Sequence, residues 1–131
     1  MSFGKGRFTN SYDWELIRLC TKTGLNIVGG AASRLLKHFH KNKAGSLTSY
    51  SQRLYSDGSI YKQLGFSFSY YSAGGDFYIK GNKKYSRQQF MKHKLKDKLE
   101  RFDANLTEYE NMLLNGYNRV WDCGQGVWVK D

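Results

Sequence analysis

A pair of glycines in front of an amphipathic segment is the first place where this sequence could bind an anion. After Gly29 and Gly30, apolar residues recur at helical spacing through Phe39, which predicts a helix whose first backbone amides are uncovered. Free amides and the helix dipole both favour a phosphate, and Ser33 could add its hydroxyl. The spacing matches neither a Walker loop nor a dinucleotide fingerprint. Because paired glycines also permit a plain tight turn, both interpretations stay open. The candidate phosphate-binding residues are Gly29, Gly30, Ala31, Ala32, Ser33 and Arg34.

A cluster of lysines and arginines between residues 80 and 101 is the second candidate, and it predicts contacts with a nucleic-acid backbone. Nine basic residues in this segment are accompanied only by Asp97 and Glu100, so most of the net charge is expected here. A charge run is often only a solvated surface. Clustered cations also release counterions from phosphates, and this second interpretation is the one we favour. The expected DNA contacts are Lys84, Arg87 and Lys94, with Lys92 and Lys98 as further candidates.

Aromatic and thiol side chains offer further chemistry. Four tyrosines could stack on bases, although hairpin aromatics also pack across strands: Tyr70, Tyr71, Tyr78 and Tyr85. Cys20 and Cys123 lie far apart, fit no metal spacing and indicate reduced thiols. The histidines lack the acidic and asparagine partners of a metal-dependent nuclease, so we expect no metal site and interpret His38, His40 and His93 as surface residues.

Length and charge limit the classes of function. A chain of 131 residues is expected to form one domain, and its net charge of +10 favours a polyanionic partner. No apolar run is long enough to cross a membrane, and the first residues show no signal-peptide core. We therefore expect no membrane partner and a cytoplasmic location.

The elements that would position these residues follow from periodicity. Residues 1–11 are predicted to be a flexible basic arm, and residues 12–131 a single domain whose basic extension spans 80–101. Residues 14–20 alternate imperfectly and favour a strand, with a short helix as the alternative. Together with an apolar run through Ile27 into the glycines, a helix at 31–41 and a strand at 47–51, they predict an α/β unit. In that helix, Leu35, Leu36 and Phe39 are expected to be buried. The fold class is therefore α/β (α+β) with a mixed sheet.

The second half alternates between hairpins and short helices. Segments 66–72 and 76–80 are predicted to pair as a hairpin, and 117–122 with 127–130 as a terminal hairpin. Ser86 with Gln89 and Thr107 with Glu110 match capping boxes, which predict helices from about 87 to 100 and from 108 to 114.

Two resemblances extend these predictions. The order strand, GG turn, helix, SYS (49–51), turn and GxxYxxLGF (58–66) resembles the acyl-CoA-binding half of the GNAT fold of N-acetyltransferases. The segments ELIRL (15–19), GAAS (30–33), SYSQ (49–52) and GSIY (58–61) resemble still more closely the phage Mom-type DNA-modifying acyltransferases. That resemblance implies acetyl-CoA as a cofactor, its pyrophosphate on the amides of Gly29 to Ser33, and Tyr61 as an acid near the thioester. The family pattern has an aspartate where this chain has Gln52, and an amide cannot take up a proton.

The second resemblance covers nearly the whole chain. Together with the segments above, KKYSRQQFMKHKL (83–95) and NRVWDCG (118–124) resemble the C-terminal region of phage homing endonucleases. It implies a DNA-binding part of a phage or mobile-element protein in an infected bacterial host, with no nuclease site of its own. Two classes of function therefore remain, a DNA-binding module and an acyl-CoA-dependent transferase acting on a nucleic-acid base or an amine.

Overall fold

The computed structural model describes residues 1–24, 26 and 28–131. Within them the chain divides into two compact units, Met1–Ala73 with Gly124–Asp131 (unit 1) and Gly74–Cys123 (unit 2), where the sequence predicted one domain. The elements in chain order are β1 (Ser2–Gly4), β2 (Trp14–Arg18), α1 (Ala31–Asn42), β3 (Leu47–Gln52), α2 (Ser59–Gln63), β4 (Ser67–Tyr71), β5 (Asp76–Lys80), β6 (Lys83–Ser86), a 3₁₀ helix (Arg87–Phe90), α3 (Lys92–Lys98), α4 (Glu108–Leu114), β7 (Asn118–Trp121) and β8 (Gln125–Lys130).

Unit 1 contains a five-stranded sheet in the order β1-β2-β3-β8-β4. Strands β2 and β3 are parallel and α1 connects them, whereas the other neighbours are antiparallel. The mixed sheet and the α+β class predicted from the sequence are confirmed. The predicted strand leading into the glycine turn includes Ile27, which lies outside the described residues, and Val28 belongs to no strand.

Helix α1 packs on the core of unit 1 along one stripe. Leu36 is buried, as predicted, and Phe39 is only half-buried, while Leu35 is 50% exposed, which contradicts its predicted burial. Successive helical residues are turned by about 100° from each other, so the face centred on Leu36 leaves Leu35 at its edge. The core is formed by six buried residues: Leu16, Leu36, Leu47, Leu64, Phe66 and Trp128.

The N-terminal segment, predicted to be a flexible arm, includes a strand and an ion pair to a buried carboxylate. Strand β1 pairs with β2, and Arg7 Nε donates a 2.8 Å hydrogen bond to Glu15, whose side chain is fully buried. The Arg7 backbone amide also donates to Glu15, at 2.8 Å. These contacts connect residues 1–11 to the second strand of the sheet.

Unit 2 has a three-stranded antiparallel sheet in the order β6-β5-β7, with helices against its core. Its core residues are Tyr78, Phe90, Leu95, Leu99 and Met112. Helix α4 begins at the predicted capping box, where Thr107 accepts from the Glu110 amide at 3.2 Å and Glu110 accepts from the Thr107 amide at 2.7 Å. This box satisfies two amides that the first turn leaves unpaired.

Both predicted long hairpins are wrong. Strand β4 pairs with β8 and not with β5, while β7 pairs with β5 and not with β8. The cause is that the chain leaves unit 1 after Ala73 and returns at Gly124, so strands adjacent in sequence belong to different sheets. Residues next to the two ends of unit 2 are joined by a backbone hydrogen bond, in which the Asp122 amide donates to Gly75 O at 2.9 Å.

The capping box predicted at Ser86 does not form, and the predicted long helix is interrupted. Ser86 makes no side-chain cap hydrogen bond, a 3₁₀ turn runs to Phe90, and Met91 is extended before α3 begins. Phe90 and Leu95 are both buried. Five residues along one continuous helix would place them about 140° apart, so the interruption allows both to reach the same core. None of the helices in the described residues is long and apolar enough to cross a membrane.

Candidate functional site

Helix α3 carries lysines that the sequence predicted as DNA contacts. Leu95 is its one buried residue, and Lys92, Lys94 and Lys98 are exposed around it. Lys94 Nζ donates a 3.4 Å hydrogen bond to the Gln88 carbonyl, which leaves its charge uncompensated. Within the described part of the chain, no lysine lies within salt-bridge distance of a carboxylate. These ammonium groups therefore remain available to an anionic partner.

Arg87 differs from these lysines because two carboxylates neutralise it. Its Nε donates to Glu108 at 3.0 Å, and its Nη1 lies 3.6 Å from Asp76, which also pairs with Arg119. The bond with Glu108 raises the pKa of the Arg87 guanidinium. The buried Tyr78 hydroxyl donates to the same Glu108 oxygen at 3.1 Å. Burial, followed by that hydrogen bond, raises the pKa of Tyr78 to about 12.

Lys84 lies on the face of the unit 2 sheet opposite to Tyr78. Its Nζ stands 3.8 Å from the centroid of the Phe77 ring, and consecutive residues of a strand point to opposite faces. Leu95 of α3 packs in the same core cluster as Tyr78, so α3 covers the face of the sheet that carries Tyr78 and not the face that carries Lys84. The structure therefore does not bring Lys84, Arg87 and Lys94 together as one phosphate-binding surface.

The four tyrosines considered for base stacking fall into two pairs that differ in solvent exposure. Tyr78 is fully buried, and Tyr85 packs edge-on against Phe90 and Tyr117 with ring centroids 5.8 and 5.4 Å away. Tyr70 and Tyr71 in unit 1 are 56% and 60% exposed. The first two therefore pack within the core of unit 2, and only Tyr70 and Tyr71 present accessible rings.

Charge is also distributed differently from the prediction. Unit 1 contains eleven Lys and Arg residues against four Asp and Glu residues, whereas unit 2 contains ten against seven. Carboxylates outside the 80–101 segment, such as Asp76 and Glu108, reduce the net charge of unit 2. Most of the net charge therefore lies in unit 1.

The glycine turn forms where the sequence predicts it. Gly30 has φ 75°, and the Ala31 amide donates to Val28 O at 3.1 Å, so this amide is already paired. The next two amides, those of Ala32 and Ser33, have no acceptor within the helix, because the amides of a first helical turn have no preceding carbonyl to bond. Apart from the chain neighbours, no atom of the described residues lies within 4 Å of a Cβ built on Gly29 or Gly30, so a ligand can approach the backbone there.

Tyr61 borders a cleft of about 350 Å³ near the carboxyl ends of β2 and β3. These strands pair only from Trp14 to Glu15 on β2 and from Leu47 to Thr48 on β3, beyond which the Ser49 hydroxyl donates to Leu16 O at 2.8 Å. The cleft residues are Leu19, Tyr50, Ser51, Gln52, Tyr55, Ser56, Ile60 and Tyr61.

The Tyr61 hydroxyl contacts the backbone of β3. It donates to Tyr50 O at 3.4 Å, and burial raises the pKa of the Tyr50 phenol. Ser33 lines a different cavity of unit 1 from the cleft that Tyr61 borders.

Two ion pairs, Arg7–Glu15 and Arg87–Glu108, could not be found from the sequence. Arg87 and Glu108 are 21 positions apart, and no periodicity connects them. Both cysteines are exposed, and the described residues contain no group of three or more His, Cys, Asp or Glu residues that could hold a metal ion. Comparison of the chain with protein-family models, curated proteins and solved structures found no match.

Proposed function

We propose that this chain is a DNA-binding module that contacts the phosphate backbone through α3. The observation that supports this most is the set of exposed lysines on α3, none of which pairs with a carboxylate in the described residues. Unneutralised ammonium groups release condensed counterions when they meet phosphates, and this supplies sequence-independent affinity. The resemblance to the C-terminal region of phage homing endonucleases points the same way, and with it to a phage-infected bacterial cytoplasm.

The positions of the α3 lysines narrow the proposed contacts. Lys94 and Lys98 are one helical turn apart, with Lys94 bonded to Gln88 and the Lys98 ammonium 5.6 Å from the Phe90 ring centroid, so both lie toward the 3₁₀ turn. Arg87 is assigned a structural role, because a phosphate would have to compete with Glu108 and Asp76 for its guanidinium.

The experiment measures binding of a short DNA duplex by fluorescence anisotropy at several salt concentrations. The K94Q/K98Q variant is expected to bind about tenfold more weakly, and its salt slope should fall by about 0.9 for each phosphate that it no longer neutralises. The matched control is K22Q/K62Q, which removes the same charge from unit 1. Equally weakened binding in both variants would show that only total charge matters, and the α3 proposal would then be rejected.

A second candidate function is supported by the cleft beside Tyr61. Ligands of open α/β sheets bind at the carboxyl ends of parallel strands, which is where β2 and β3 separate. Acetyl-CoA would supply a thioester whose acyl group is transferred to an amine or a nucleic-acid base. The open backbone at Gly29 and Gly30 fits a phosphate, and the Tyr61 hydroxyl could donate a proton in the cleft. Gln52 does not fit the role of a base.

The test of this candidate is a thermal-shift titration with acetyl-CoA. Binding should raise the melting temperature of the wild type by mass action. G30V should abolish that rise by placing a branched side chain at the turn, whereas Y61F should keep binding and lose transfer. An unchanged melting temperature at millimolar acetyl-CoA would exclude this function.

A further inference from the structure

A second, larger cavity of unit 1 lies beside α1, and Ser33 is the one residue in its described lining that was assigned above to either function. It measures about 640 Å³, within the usual range of ligand pockets. It is lined by residues of α1, by the last residue of α2 with the two residues that follow, and by the end of β8. Its polar side chains are Ser33, Lys37, His40, Lys41, Gln63 and Lys130. Leu36 and Leu64 contribute apolar surface.

The charges of this cavity have one sign. Lys37 and Lys41 are four residues apart on α1, where like charges repel each other in the absence of an anion. Lys130 reaches the cavity from β8, and its ammonium is held by a 3.1 Å hydrogen bond to Gly65 O. Three lysines therefore line this cavity, and no carboxylate among its described lining residues supplies a counter-charge.

His40 gives an independent indication of a missing partner. It lines the cavity, and its Nε2 is the one buried side-chain nitrogen or oxygen in the described residues that has no hydrogen-bond partner. An unpaired buried polar atom is destabilising, and native proteins usually satisfy such atoms with water, an ion or a ligand.

We propose that this cavity binds the phosphate group of a small phosphorylated molecule, a monoester or a diphosphate. Ammonium groups, a hydroxyl, an amide and an imidazole supply several hydrogen-bond donors, which matches the several acceptor oxygens of a phosphate. The volume exceeds that of a phosphate alone, and Leu36 and Leu64 can contact the organic part.

The site is distinct from the Tyr61 cleft. Lys130 pairs in register with Leu47, the first residue of β3, whereas Gln52, the last residue of that strand, borders the cleft. The two sites therefore lie at opposite ends of β3. The proposal also does not depend on the α3 lysines, which belong to unit 2.

The test is a calorimetric titration of the full chain at constant ionic strength with pyrophosphate, ADP and adenosine. Pyrophosphate and ADP should bind, and adenosine should not. K37Q/K41Q should weaken ADP binding at least tenfold, whereas the control K22Q/K83Q, with the same change of charge outside the cavity, should leave it within twofold. Both variants alter surface lysines, so each should fold.

The H40L variant provides a second test, because it should change stability and ADP binding in opposite directions. It should raise the melting temperature of the unliganded protein, because it removes an unpaired buried nitrogen, and it should weaken ADP binding. Equal ADP affinity in K37Q/K41Q and the control would overturn the proposal, as would equal binding of adenosine. A selective loss of DNA affinity in K37Q/K41Q with no ADP binding would also overturn it, and would assign these lysines to the DNA surface.

Discussion

The Arg87 guanidinium donates a 3.0 Å hydrogen bond to Oε1 of Glu108, the same oxygen that accepts the hydroxyl of the buried Tyr78. One carboxylate on the first residue of α4 thereby anchors a side chain from the 3₁₀ turn and another from the central strand of the unit 2 sheet. A basic residue that the sequence assigned to DNA thus has a structural partner inside its own unit.

Replacing Glu108 by Gln should destabilise unit 2. The change keeps the shape of the side chain but removes the charge that compensates Arg87, and we expect the free energy of unfolding to fall by about 1–3 kcal/mol. Urea unfolding monitored by tryptophan fluorescence or circular dichroism measures this. The matched control is E100Q at an exposed position. Similar small effects of E108Q and E100Q would contradict the proposed role of Glu108.

Tyr78 should make the protein sensitive to alkaline pH. Its pKa is raised to about 12 in the folded state from the ordinary value of 10, so the folded state holds the proton that the unfolded state releases. Stability from this group is complete below about pH 10 and is lost as the pH rises toward about 12, with a total of about 1–3 kcal/mol.

The measurement is the free energy of unfolding between pH 9 and pH 12 for wild type and Y78F. The difference between the two should shrink or reverse as the pH rises, because phenylalanine has no proton to lose. Y70F, at an exposed tyrosine, is the control and should follow the wild type. Parallel pH profiles for wild type and Y78F would show that Tyr78 does not carry this dependence.

A comparison of alanine substitutions at Gly58 and Gly30 measures how much close packing around a glycine contributes to stability. Both have a left-handed backbone, with φ of 80° and 75°. A Cβ on Gly58 would lie 2.5 Å from Trp128 Nε1, whereas a Cβ on Gly30 would meet none of the described residues beyond its chain neighbours within 4 Å. G30A should therefore cost only the strain of the backbone, about 1–2 kcal/mol, and G58A should cost about 2 kcal/mol more. Thermal and urea unfolding of both variants would test this, and equal destabilisation would refute the close approach to Trp128.

The ion pair between Arg7 and Glu15 should stabilise unit 1. R7Q leaves the fully buried Glu15 carboxylate without its counter-charge, and we expect a destabilisation of about 2 kcal/mol, less than for a fully buried pair because Arg7 is half exposed. The double variant R7Q/E15Q should recover part of this stability, and the difference measures the coupling. R18Q, at an exposed position of the same strand β2, is the control. If R7Q destabilised the protein no more than R18Q, Glu15 would not need Arg7.

Local patterns were reliable where the interactions are local. The capping box of Thr107 and Glu110 closes within four residues, and the two glycines before α1 adopt their turn without help from distant residues. The position of strand β3 follows from the sequence for the same reason. The box at Ser86 failed because Phe90 and Leu95 both join the core of unit 2, which overrides the local preference for one helix.

The sequence by itself determined the α+β class, the positive charge, the helix predicted at 31–41 and most strand positions, because periodicity and turn residues encode these directly. Only the tertiary structure decided strand partners and the state of each charge. Pairing of β8 with β3 and β4 joins residues more than fifty positions apart, and a sequence pattern carries no signal for which strands meet. Arg87 is likewise neutralised by carboxylates from two other elements, β5 and α4. Whether a lysine or an arginine is available to a phosphate therefore depends on the fold, because its neighbours in space set its electrostatic partner.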